Sequence, residues 1–169
     1  MMRPGKAICA VVAALSCAAL AAHGQIVPDH AQRQSAAKSD AVVYLFPEQV
    51  TLPAGKPSPV ALHFRIAQGL HINSHTPSGD SLIPTTFFIP SDAGARLDGA
   101  SYPSGADFAL LLDSSEKLSV YTGDFVVQAR LVAAPGNHLV QGTLRYQACD
   151  NRECMPPKTV TVPIDVIGK

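Results

Sequence analysis

The sequence predicts an all-β fold, an antiparallel sandwich of short strands. Three observations carry that expectation. Apolar residues alternate with period two, most clearly at Val60, Leu62, Phe64 and Ile66, with Ala61, His63 and Arg65 between them. Successive side chains of a strand point to opposite faces, so such a run buries one face. Turn chemistry separates the runs: the chain holds 14 Pro and 12 Gly in 169 residues, a mix suited to many short strands joined by turns. No segment of the domain shows a convincing helical repeat. Turns at regular intervals make the expected architecture immunoglobulin-like. There is no Trp, so the likeness to antibody domains is one of architecture alone.

Taken in order, the chain begins with a leader. Arg3 and Lys6 form a basic start, Ala7 to Ala22 is almost unbroken apolar sequence, and Ala22 and Gly24 flank His23 ahead of Gln25. This reads as a signal peptide over residues 1–24. A rival cut exists at Leu15-Ser16-Cys17, which resembles a bacterial lipoprotein signal with Cys17 as the lipidated residue. Either reading exports the domain to a compartment that permits disulfides. Losing residues 1–24 removes Arg3 and Lys6 and no acidic residue, so 13 Lys/Arg become 11 against 13 Asp/Glu, a net of −2. Cys9 and Cys17 leave with the leader, and one cysteine pair remains. Residues 25–41 are small and polar without periodicity, a flexible linker. The domain is expected over residues 42–169.

Within it, Leu70 to Ser74 follows a turn at Gly69, and the alternation puts His71 on the polar face of a strand. Thr76 to Asp80 reads as a turn. Ile83 to Ile89 is strand-like, with Pro84 favouring an edge. Ser91 to Lys117 is less regular. Its apolar patch, Phe108 to Leu112, is either a core strand or a loop folded over the cysteines. Val120 to Ala134 reads as one long strand or two collinear ones, with Phe125, Val127, Ala129, Leu131 and Ala133 sharing a face. Pro135-Gly136-Asn137 is a turn. Leu144, Tyr146 and Ala148 then face the core, while Thr143, Arg145, Gln147 and Cys149 face away from it. Val160, Val162, Ile164 and Val166 close the domain, returning beside the Cys149 strand as a hairpin with the cysteine loop at its tip.

Several function classes fall away. The formal charge is zero, and no basic run suggests a nucleic-acid partner. No stretch after the leader is long and apolar enough to span a bilayer, which leaves a lipid at Cys17 as the one route to a membrane. There is no Gly-rich phosphate loop, and no nucleophile-elbow motif joins the Ser, His and Asp residues. No cofactor is expected.

What remains is Leu144 to Pro157, LRYQACDNRECMPP. A bond between Cys149 and Cys154 would close a loop so small that it stabilises by only about 2 kcal/mol in the chain-entropy model. Exposed or strained disulfides are the labile ones. Spacing alone leaves a structural staple and a redox pair both open. Zinc is disfavoured, because a structural site needs four ligands and neither a second Cys pair nor a nearby His pair is present. Exchange chemistry needs an attacking thiolate and a second thiol to resolve the mixed disulfide, and two cysteines in one loop supply both. Arg152 and Lys158 would favour a thiolate, whereas Asp150 and Glu153 would oppose it. Pro156 and Pro157 fix the exit from Cys154 and restrict Met155 to extended geometry.

These residues carry a family resemblance. YQACDNRECMPP followed by VTVPI resembles the cysteine hairpin of the periplasmic N-terminal domain of the thiol:disulfide interchange protein DsbD. GLHINSH (Gly69 to His75), Pro77, Leu82 to Thr85 and SVYTGDF (Ser119 to Phe125) are similar to other parts of that domain. The resemblance implies an immunoglobulin-like sandwich that carries electrons in the periplasm. It implies thioredoxin-fold partners, with electrons drawn from a membrane electron-conducting protein. By position, Cys154 would form the mixed disulfides and Cys149 would resolve them. A cap over the sulfurs would come from Ser104 to Lys117, with Phe108 and Leu110 to Leu112 as candidates, and with Tyr146 and Pro156 flanking the site. The family's acidic-aromatic cap sequence is not reproduced. The chain stops at Lys169, so the membrane protein is expected on a separate chain. The competing expectation is a non-catalytic binding or scaffold sandwich with a structural disulfide.

Overall fold

The computed structural model describes residues 40–45, 49–91, 93–109 and 117–169. The leader, the linker as far as residue 39, Cys17 and Leu110 to Leu112 lie outside the described residues.

Twelve strands follow one another without a helix among the described residues: β1 (Val42–Leu45), β2 (Val50–Leu52), β3 (Ser58–Ile66), β4 (His71–Asn73), β5 (Thr86–Phe88), β6 (Ala95–Ser101), β7 (Ala106–Ala109), β8 (Lys117–Tyr121), β9 (Asp124–Ala133), β10 (Gly136–Tyr146), β11 (Ala148–Cys149) and β12 (Lys158–Gly168). They form three four-stranded sheets, ordered β1-β3-β9-β6, β2-β12-β10-β5 and β11-β4-β8-β7. The named pairings are antiparallel except for β12 with β2. The fold is an all-β, immunoglobulin-like sandwich.

The alternation that predicts the strands also builds the core. On β3, Val60, Leu62, Phe64 and Ile66 are buried, with Pro59, His63 and Arg65 exposed between them. On β9, Phe125, Val127, Ala129, Leu131 and Ala133 face the same interior. The second sheet answers with Val140, Leu144 and Tyr146 from β10 and Val162, Ile164 and Val166 from β12. Each fully buried Leu, Ile or Phe contributes roughly 1.5–3 kcal/mol, so these stripes fix the register of the long strands. The expected hairpin is present: β10 pairs with β12 from Gly136↔Gly168 to Tyr146↔Lys158.

Four local expectations change. The 120–134 stretch is two strands in two different sheets rather than one line. The chain turns at Thr122-Gly123, where Gly123 takes φ 61°, a conformation that Gly adopts without a Cβ clash. β6, which the irregular sequence hides, pairs with β9 at the sheet edge, and its outer residues are exposed. Phe108 belongs to β7 at the edge of the third sheet, outside the main core. His71 is buried, 2 % exposed, as are its neighbours Ile72 and Asn73. β4 lies between β11 and β8 with both of its faces covered, so alternation there gives no polar face. Pro84 behaves as expected: the strand shortens to Thr86–Phe88 at the edge of the second sheet.

Candidate functional site: a disulfide at the tip of a hairpin

The site is made where the β10–β12 hairpin leaves its own sheet. After Tyr146 the chain breaks at Gln147, and Ala148-Cys149 crosses to pair with β4, Ala148 opposite Ile72 and Cys149 opposite His71. The polypeptide then reverses in a tight turn. The Asp150 N–H donates to the Glu153 carbonyl at 3.0 Å, and the Met155 N–H donates to the Ala148 carbonyl at 2.8 Å. Between these bonds Cys149 and Cys154 stand opposite each other as a single antiparallel bridge. That is the non-hydrogen-bonded position of the ladder, where side chains come closest. The two cysteines are disulfide-bonded, with Cα atoms 3.9 Å apart.

Asp150 shapes the turn. Its Oδ1 accepts from the Arg152 N–H at 2.7 Å and from the Glu153 N–H at 2.8 Å. These backbone donors hold its pKa below the ordinary carboxylate value, since hydrogen bonds to the charged form favour it. One of the two carboxylates that would oppose a thiolate, Asp150, is thus held ionised in the turn.

Gln147 ties the hairpin to the rest of the domain. Its Oε1 accepts from Asn73 Nδ2 at 3.1 Å and from the Ile83 N–H at 3.3 Å, and its Nε2 donates to the Met155 carbonyl at 3.2 Å. Asn73 also donates to the Ile83 carbonyl at 3.1 Å. Around it, the Thr85 hydroxyl donates to the Asn73 carbonyl at 2.6 Å, and the Tyr121 hydroxyl accepts from the His75 N–H and donates to the Pro103 carbonyl. The His75 ring stacks on Tyr102 with centroids 3.8 Å apart. The GLHINSH and LIPT segments are therefore tied to the cysteine hairpin by polar bonds, while Ile72 also anchors the first of them in the main core.

The two sulfurs have different surroundings. Cys149 is 2 % exposed, whereas Cys154 is exposed at the tip. Cys149 does stand outside the main core cluster, while Ala148 is inside it, so the expected direction holds. It is buried all the same, because the outer face of the third sheet carries its own cover. Gly79, Ser81, Leu82 and Leu118 join both cysteines around a cleft of about 270 Å³. Sequence alternation cannot reveal a second buried layer.

Among the remaining candidates, Phe108 is half-buried, and its ring centroid lies 4.2 Å from that of His71. Tyr146 is 1 % exposed in the main core, with its hydroxyl pKa pushed up by burial; its side chain serves the sandwich. Pro156 is exposed between Met155 and the start of β12. No group of three or more His, Cys, Asp or Glu side chains gathers into a metal site among the described residues. His71, Asn73 and Gln147 are the site neighbours that residue type and spacing do not single out.

The family described as "Thiol:disulfide interchange protein DsbD, N-terminal" matches residues 41–165. The chain belongs to the DsbD N-terminal family. This family's chemistry is thiol–disulfide interchange, and the cysteine hairpin lies inside the matched region. Among solved structures, the reduced N-terminal domain of DsbD from Neisseria meningitidis is similar, at 21 % identity over 68 % of this chain and 82 % of that one, with a TM-score of 0.46. No curated protein matches the chain in sequence.

Proposed function

We propose that this DsbD N-terminal domain is an exported thiol–disulfide carrier that passes electrons through Cys149–Cys154 to or from thioredoxin-fold proteins. The observation that carries the reading is the asymmetry of the bridge: Cys154 is exposed at a hairpin tip, and Cys149 is 2 % exposed behind it. Exchange depends on which sulfur an incoming thiolate can reach. Here that sulfur is Cys154, so Cys154 forms the mixed disulfide and Cys149 is the leaving and resolving sulfur. Export follows the leader and the periplasmic setting of the family.

The competing reading, a structural staple in a binding sandwich, draws on the burial of Cys149. The reduction potential separates the two. Equilibration against a thiol redox buffer should give a value between about −120 and −270 mV, the range of exchange proteins. A value well below about −300 mV marks a structural bond and removes the carrier reading.

A further inference from the structure

The third sheet places an unassigned histidine beside the resolving sulfur. Cys149 pairs with His71, Asn73 with Val120, Val120 with Ala106, and Leu118 with Phe108. Residues directly opposite on a ladder present their side chains on the same face, with Cβ atoms about 4.5–5.5 Å apart. Cys149, His71, Leu118 and Phe108 therefore share one face, with the Phe108 ring packed on the imidazole. His71 is 2 % exposed, and its Nε2 is buried without a hydrogen-bond partner among the described residues. An unpaired buried polar atom is costly to keep. A disulfide sulfur is a poor acceptor; a thiolate in the same place is a strong one.

We propose that His71 is the proton-bearing partner of Cys149, holding the hydrogen bond or proton that the Cys149 sulfur needs once the disulfide opens. This deepens the carrier reading and rests on it for the exchange step. A partner thiolate bonds to Cys154 Sγ, the Cys149–Cys154 bond breaks, and its electron pair leaves on Cys149 Sγ. The partner and Cys154 become a mixed disulfide, and Cys149 is reduced. The proton that the partner thiol gave up on ionising is taken back by the Cys149–His71 pair. In the reverse step Cys149 attacks the mixed disulfide, the pair releases that proton, and the partner leaves as a thiolate. His71 also lines a groove of about 660 Å³ with Phe108, Asn151 and Gly69.

Among the described residues, the charged groups around the imidazole are few. Asp150, on the hairpin, acts on it electrostatically, and burial opposes its protonation more strongly. Asp107 of β7 is opposite Ser119, on the other face from Phe108, and is paired with Lys117 at 3.2 Å. Across the groove, Asp124 is engaged by Arg65 at 2.7 Å. The Asp150 carboxylate is thus the counter-charge that a transient imidazolium would meet.

The test is NMR titration of the full chain, ¹⁵N-labelled in histidine and ¹³C-labelled in cysteine, in the oxidised state and after reduction with a phosphine. The His71 signals are assigned in the wild-type chain through the contact of its ring with the Phe108 ring. The His71 midpoint should rise by about one unit or more on reduction, as a nearby thiolate requires. The Cys149 midpoint should rise by a similar amount in His71→Phe. A His71 titration identical in both redox states, or a Cys149 titration untouched by His71→Phe, overturns the proposal, and the wild-type measurement needs no variant to fold. Mixing the reduced wild-type chain with oxidised thioredoxin keeps the two readings apart. Exchange without a redox response of His71 removes the histidine and leaves the carrier. Coupled titrations without exchange remove the carrier and leave the pair.

Discussion

Cys149 and Cys154 face each other across one antiparallel bridge, and only Cys154 reaches solvent. The difference follows from their neighbours. Cys149 continues β11 into the third sheet against His71, whereas Cys154 follows a turn whose residues Asn151, Arg152 and Glu153 are all exposed. A thiolate therefore meets one sulfur first.

That order predicts opposite behaviour for two single substitutions. Cys154→Ser should abolish exchange with a thioredoxin-fold protein, because the remaining sulfur is buried. Cys149→Ser should attack once and then stall, accumulating a mixed disulfide through Cys154. Intact-mass measurement under non-reducing conditions reads both. Full exchange by Cys154→Ser would remove the assigned roles.

The disulfide should add little to the stability of the sandwich. Its five-residue separation closes a very small loop, and the chain-entropy model then gives about 2 kcal/mol. The main core, built from β3, β9, β10 and β12, does not include either cysteine. Reduction should therefore lower the unfolding free energy by about 2 kcal/mol and leave a cooperative urea transition. Loss of the transition on reduction would show that the bridge is required for the fold.

How much of this the sequence makes legible depends on the layer. β3, β9, β10 and β12 are read from period two, because each has one face on the main core and one in water. The hairpin tip follows from Pro156-Pro157 and the return strand. The third sheet is opaque to the same method. β4 is only His71–Asn73, all of it buried, so it is too short to show a period and has no exposed face to show one with. Its polar residues, His71 and Asn73, are burial sites that composition disguises as surface. Gln147 is similar: at a break between β10 and β11 it looks like an outward strand residue, yet both ends of its amide are bonded. The YQ lead-in to the cysteines flags it through the family resemblance, without giving its function.

Gln147 should accordingly be sensitive despite its polar, half-buried character. Gln147→Ala removes an acceptor shared by Asn73 Nδ2 and the Ile83 N–H, and a donor to the Met155 carbonyl. Buried polar groups left without partners cost about 1–3 kcal/mol. Asn73 keeps its bond to the Ile83 carbonyl, which places the expected loss toward the lower end of that range. Amide hydrogen exchange should accelerate most in Asn73, Ile83 and Met155 and little in β3 or β9. A uniform acceleration across all sheets would mean that Gln147 serves global stability rather than the attachment of the hairpin.

Burial of His71 predicts a specific acid response. Burial pushes its pKa below the ordinary 6.5, and the charge of Asp150 offsets part of that. Below pH 6.5 the unfolded chain binds this proton before the native chain does. Stability is thus fully present above 6.5 and declines as pH falls from there toward the native pKa. One such group contributes a slope of at most about 1.4 kcal/mol per pH unit. Asp150 acts in a lower window: its native pKa is depressed below 3.8 by the turn N–H groups, so its contribution is full above 3.8 and is lost as pH falls from there through the native value. Urea unfolding of the oxidised protein between pH 7 and 5 should therefore show a decline that His71→Phe makes shallower by up to one proton. The variant keeps an aromatic ring against Phe108 and brings no titrating group. An unchanged slope in His71→Phe would place the acid-sensitive proton elsewhere and remove His71 as the buried, neutral member of the site.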